Sequence, residues 1–226
     1  MIELDLAEGS GHAVPLHLRT VRGSADVPAS LDDLIVVGEP LSRPLTKEAA
    51  KDDNELSAFI EAESGSWRYH LVTFSCTFAS SDDRHIASAW LQIVFANARE
   101  TDAAHPIATS MEPVKLDEVR PISATAKITI PCVFVPEISL TGSTEIRDIL
   151  LEARYEGTSK PAWHFNETRK SRLSGIQRLR LIVRAPVNVD VTGTLSVGAT
   201  VRYKRFGVRA FSYRSQGSGP AIRLPA

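Results

Sequence analysis

Val191-Thr192-Gly193-Thr194-Leu195-Ser196-Val197-Gly198-Ala199-Thr200-Val201-Arg202-Tyr203 alternates apolar and polar residues along its length. Successive side chains of a strand point to opposite faces, so Val191, Leu195, Val197, Ala199, Val201 and Tyr203 share one face. Thr192, Thr194, Ser196, Thr200 and Arg202 share the other. One buried and one solvated face is the pattern of an antiparallel sheet.

The same period recurs outward from this stretch. Residues 124–134 set Ala126, Ile128, Ile130, Cys132 and Phe134 against Thr125, Lys127 and Thr129. Residues 177–185 set Leu179, Leu181 and Val183 against Arg178, Arg180 and Arg184. Two further stretches are apolar on both sides. Residues 67–78 carry Val72, Phe74, Cys76 and Phe78 on one face and Trp67, Tyr69 and Leu71 on the other. Residues 86–96 carry Ala89, Leu91, Ile93 and Phe95 with Ile86, Trp90 and Val94 behind them. The short link Ser80-Ser81-Asp82-Asp83-Arg84 predicts that these two pair as a central hairpin.

Helix is scarce. Asp52 or Asp53 caps a short helix through Leu56, Phe59 and Ile60, closed near Gly65. Residues 144–155 fit either a helix or a strand; Ser143 or Thr144 as a cap and Gly157 as a stop favour helix. Residues 1–45, broken by glycines and prolines, read as edge strands and loops. The expected fold is therefore all-β, an antiparallel two-sheet β-sandwich with one or two short helices. A single domain is expected over residues 1–212, with the polar, proline-containing segment 97–121 as its candidate seam. Residues 213–226 read as a flexible C-terminal tail.

Charge is distributed unevenly. Residues 1–113 hold 8 Lys/Arg against 18 Asp/Glu, whereas residues 114–226 hold 18 against 9, so the net charge of −1 conceals a dipolar chain. The acidic balance is densest over residues 26–63 and the basic balance over residues 158–226. No apolar stretch reaches the ~20 residues of a membrane helix, and Met1-Ile2-Glu3-Leu4-Asp5 has acids where a signal peptide has bases. A cytoplasmic protein with no membrane partner is the expectation. The spacing of Cys76, Trp90 and Cys132 resembles an immunoglobulin core, in which a tryptophan packs on an inter-sheet disulfide. Ile130 stands where that family has a tyrosine, and with no export signal both cysteines are expected as buried, reduced thiols.

Catalytic motifs are absent: no GxSxG, HExxH, P-loop, GxGxxG or paired CxxC occurs. The six histidines are scattered; His85 beside Asp82-Asp83 fits a solvated turn better than a cation site. The expectation is no metal, no cofactor and no enzyme. The basic end carries more meaning. If residues 174–185 and 191–203 pair as a hairpin, Arg172, Arg178, Arg180, Arg184, Arg202 and Lys204 form one cationic face, with outward neighbours about 6.6 Å apart. Arg205, Arg209, Phe211 and Tyr213 follow, in a stretch where cations and aromatics interleave. Such a face suits anion engagement, through guanidinium forks above all. The expected function is a non-catalytic structural or interaction subunit that docks to a protein partner, or head-to-tail to copies of itself, by pairing its acidic half with its basic face. The alternative is a nucleic-acid-binding module using the same residues, with bases stacked on the aromatics and phosphates on the arginines.

Overall fold

Period-two alternation becomes two antiparallel sheets packed face to face, with, among the described residues, one short helix on the outer side of the first. The computed structural model describes residues 11–13, 17–19, 34–50, 54–81, 84–98, 104–117, 149–168, 171–205 and 209–225. In chain order the elements are β1 (Gly11–Ala13), β2 (His17–Arg19), β3 (Ile35–Gly38), β4 (Leu41–Pro44), α1 (Asn54–Glu63), β5 (Trp67–Phe78), β6 (Arg84–Asn97) and β7 (Ile107–Glu112). They continue with β8 (Lys115–Asp117), β9 (Ile149–Arg154), β10 (Ala162–Asn166), β11 (Gly175–Pro186), β12 (Val191–Arg205) and β13 (Arg209–Leu224). Sheet A runs β1-β3-β5-β11-β7, with β4 also paired to β5. Sheet B runs β2-β13-β12-β6-β10-β9-β8. Among the described residues, no helix is long and apolar enough to cross a membrane.

Several strand neighbours differ from the expected ones. β5 and β6 form no hairpin: β5 pairs with β11 from Trp67 opposite Pro186 to Phe78 opposite Gly175, and β6 pairs with β12 and β10 in the other sheet. Both strands present a strongly apolar face, and two such faces bury most surface when they oppose each other across a sandwich. Each extended residue spans ~3.3 Å, so the link 79–83 readily crosses the ~10 Å between sheets. Ser80 holds the crossing, its hydroxyl donating to the Leu173 carbonyl at 2.7 Å and accepting from the Ile86 amide at 3.2 Å. Likewise β11 and β12 lie in different sheets, and the hairpin partner of β12 is β13.

Residues 149–154 are a strand, where helix was favoured: β9 pairs with β10 and β8. The segment read as a loose tail from residue 213 is the second half of β13, with Ile222 1% and Leu224 0% exposed. A strand that closes a hairpin and buries two such side chains is no tail. Ile86 is also in the core, not behind it. The β6–β12 register shifts between Thr200 and Val201, so that Ile86 faces Val201 in sequence with Ser88 facing Thr200. That bulge inserts one residue and flips the face on which Ile86 falls.

The inner faces match their alternation. Val72, Phe74, Cys76, Leu179, Leu181 and Val183 from sheet A meet Leu91, Ile93, Leu195, Val197 and Val201 from sheet B. Trp163, fully buried, lies edge-on to Phe74 at 5.7 Å, and Phe165 to Phe78 at 4.9 Å. The core tryptophan is thus Trp163 on β10, while Trp90 lies half-buried on the outer face over Gly198, where any Cβ would collide with the indole. The immunoglobulin-like placement of Trp90 on a cysteine pair does not hold. Cys76 is a free, buried thiol, and Cys132 lies outside the described residues.

α1 covers the outer face of sheet A. Ile60 and Phe59 pack with Leu45, Tyr69, Leu71 and Ile182 in a second apolar cluster. This explains why Tyr69 and Leu71, on the outward side of β5, are apolar. The helix closest to expectation ends at Glu63, just before Gly65.

Candidate functional site

On β11 the outward positions are Arg178, Arg180, Ile182 and Arg184. Ile182 is only 2% exposed, because α1 lies over this part of the sheet. Arg184 is consumed in that contact. Its Nε is 3.1 Å from Glu63 Oε2, its Nη2 donates to Glu63 Oε1 at 3.2 Å, and its guanidinium stacks 4.1 Å over the Trp67 ring. Glu61 and Glu63 sit in the last turn of a helix that has no basic residue there. Carboxylates at that end oppose the helix dipole. Arg184 offsets one and Lys47, 2.8 Å from Glu61, the other. Arg180 lies 3.9 Å from Glu112. Arg178 is exposed with no ion-pair partner among the described residues, and Arg172 is exposed just before the strand.

Arg202 is on the outer face of sheet B, 3.2 Å from Glu167, which also approaches His85 Nε2 at 3.5 Å. The single cationic face therefore does not form. The inward and outward parity of both strands holds, but β11 and β12 stand in opposite sheets, so Arg178, Arg180 and Arg184 face away from Arg202. Three of these four arginines also have a carboxylate close by.

What remains together is the end of the β12–β13 hairpin. Tyr203 lies opposite Phe211, Lys204 opposite Ala210, Arg205 opposite Arg209, and Val201 opposite Tyr213. The last pair between β12 and β6 is Tyr203 with Arg84, and β2 meets β13 only at Arg214–Gln216. Beyond them, among the described residues, the hairpin is a two-stranded ribbon. Such ribbons are marginal alone, and like charges directly opposite weaken them.

A second constellation, absent from the sequence-based expectations, lies at the opposite end of the sandwich. Arg68 and His70 continue the inward side of β5 past Val72, where a packed core would demand apolar residues. Arg68 closes the end instead, its Nε donating to the Pro186 carbonyl at 3.1 Å and its Nη2 to the carbonyls of Leu224, at 3.3 Å, and Val189. These bonds tie β5 to the β11–β12 turn and to β13. Arg68 Nη1 lies 3.1 Å from His70 Nε2, and His70 Nδ1 lies 3.4 Å from Ser42 Oγ. A guanidinium only donates, so Nε2 accepts and the ring proton sits on Nδ1, facing Ser42. Burial first, and the Arg68 charge second, hold the His70 imidazole down to about 4. This is a serine–histidine pair of inverted polarity: the nitrogen beside Ser42 already carries a proton and cannot take another from the hydroxyl. The signal available in the sequence was the polar pair Arg68 and His70 at inward positions of an otherwise apolar strand.

Among the described residues, no group of three His, Cys, Asp or Glu side chains is placed to hold a metal ion. No family model matches the chain, and no curated protein matches it. Among solved structures the chain is similar to Clostridium perfringens delta-toxin, at 7% identity over 84% of this chain and 92% of that chain, with a TM-score of 0.25. A likeness this faint carries no argument about fold or function.

Proposed function

We propose that the protein is a non-catalytic docking subunit whose contact element is the end of the β12–β13 hairpin. The carrying observation is the register that sets Arg205 opposite Arg209 beyond the last β6 pairing, with Lys204 adjacent. A ribbon end whose register brings Lys204, Arg205 and Arg209 together suits an anionic surface, and aromatic residue types such as Tyr203 and Phe211, at paired positions next to it, are enriched at interfaces. The partner is an acidic protein surface, and a second copy of the chain satisfies the description. Trp67, Pro186 and Val191 mark one end of the sandwich, whereas Phe78, Arg84 and Tyr203 mark the other. The basic hairpin closes the second end, where an acidic patch on a neighbouring copy would engage it head to tail.

The test is molar mass by light scattering, with the ratio of absorbance at 260 and 280 nm, in about 50 mM and about 500 mM salt. Charge-driven association predicts a mass that falls as salt rises, and its loss in the triple variant Lys204→Glu/Arg205→Glu/Arg209→Glu. Arg178→Glu, on the other sheet, leaves it intact. Association that survives the hairpin variant sinks this reading. Co-purifying 260 nm absorbance lost in the same variant would instead favour nucleic acid as the partner, which the interleaved cations and aromatics also suit.

A further inference from the structure

The end of the sandwich that Arg68 closes also holds a cavity of about 600 Å³. It opens between the last turn of α1, the chain leaving β4, the start of β5, the β11–β12 turn and Pro225. That volume is within the range of small-molecule sites, which combine apolar walls with a few fixed polar groups. The apolar walls include Leu45, Ile60, Trp67 and Val187, and the polar lining includes Ser42, His70, Arg68 and Lys47, with the carboxylate of Glu61 beside Lys47.

The hydrogen-bond direction decides what those polar groups can bind. Arg68 donates to His70, and His70 donates to Ser42, so the Ser42 oxygen is already an acceptor. Its own proton has no acceptor among the described residues and is left for an incoming group. Lys47 Nζ, 54% exposed and donating one proton to Glu61, leaves two more donors at the opening. Arg68 and Lys47 are the two cations at the site; Glu61 lies beside Lys47, and the Asp190 charge acts on Arg68. A chain of donors ending in a hydroxyl, with a lysine at the opening and apolar walls beside it, selects an acceptor-rich head on an apolar body. We propose that this cavity binds a small amphipathic carboxylate, its head between Ser42 Oγ and Lys47 Nζ and its hydrocarbon part along Ile60 and Trp67. The site binds and does not transform: with Nδ1 protonated, His70 cannot activate the Ser42 hydroxyl.

Octanoate is the probe, with octanol as the same body lacking charge and acetate as the same head lacking a body. Calorimetric titration of the full chain should give saturable 1:1 binding of octanoate, with octanol and acetate each weaker by about tenfold or more. Ser42→Ala and Lys47→Ala should each weaken octanoate by about tenfold, measured at a temperature where thermal unfolding shows both variants fully folded. Lys47 is solvent-exposed, so its variant tests the head contact even where Ser42→Ala disturbs β4. No octanoate binding, octanol binding as tightly as octanoate, or affinity unchanged in both variants would each overturn the proposal.

Discussion

Arg184 sits where three effects meet: an ion pair to Glu63, a cation–π contact to Trp67, and the edge of the cluster under α1. Its side chain is 26% exposed and that of Glu63 27%, so water still screens the pair. A half-exposed ion pair contributes ~0.5–1 kcal/mol and the stacking a similar amount. Arg184→Ala should therefore lower stability by about 1–2 kcal/mol in urea unfolding, while Arg178→Ala changes it by less than about 0.5 kcal/mol. Equal effects at the two positions would mean that Arg184 does not hold the helix. Cys76 makes a contrasting case. Burial in the inter-sheet core pushes its thiol up to about 12, so almost no thiolate exists near neutral pH. In a Cys132→Ser background, labelling by a thiol-specific disulfide should proceed only as fast as the protein unfolds; rapid labelling of the native protein would contradict the burial.

At the scale of elements, β5 is the organising strand, covered on one face by sheet B and on the other by α1. Its first residues leave the core, and there Arg68 and His70 replace hydrophobic closure with hydrogen bonds to β11–β12, β13 and β4. Buried polar groups of this kind hold only while every partner is present. The His70 imidazole, held down to about 4 against an ordinary 6.5, makes that end acid-sensitive. Above pH ~6.5 the ring is neutral folded and unfolded, and its contribution is complete. Between pH ~6.5 and ~4 the unfolded chain binds a proton that the folded chain refuses, so stability falls by up to roughly 3 kcal/mol. Denaturant unfolding of wild type and His70→Gln at pH 7 and pH 4.5 should show a steeper acid loss in wild type. Parallel losses would remove His70 as the cause.

Over the whole molecule, the dipolar charge pattern is partly spent inside and partly left at the ends. Glu61 and Glu63 are matched by Lys47 and Arg184, Glu112 by Arg180, and Glu167 by Arg202. The hairpin register gathers Lys204, Arg205 and Arg209 at one end. The proposed association predicts a mass that falls with salt, and a response lost when those three residues are changed; a mass independent of salt would overturn it. Changing Arg178, Arg180 and Arg184 together would instead loosen α1, because only Arg178 among them is without a carboxylate neighbour among the described residues.

Alternation alone determined that the chain is a two-sheet sandwich and which side of β5, β11 and β12 is buried, because side-chain parity is a local property of strand geometry. It could not determine which strands are neighbours. β5 with β6, and β11 with β12, carry the right parity for hairpins, yet each pair divides between sheets, because burying two apolar faces against each other is a long-range outcome. The same holds for function. Ile182, lying between outward arginines, and the apolar outward residues Tyr69 and Leu71 were the local signs that something covers that face. Only the tertiary structure parted Arg178, Arg180 and Arg184 from Arg202, brought Ser42 to His70, and turned the expected tail into the strand that carries Arg209, Phe211 and Tyr213. Contacts between residues far apart in sequence depend on topology, which no local pattern encodes.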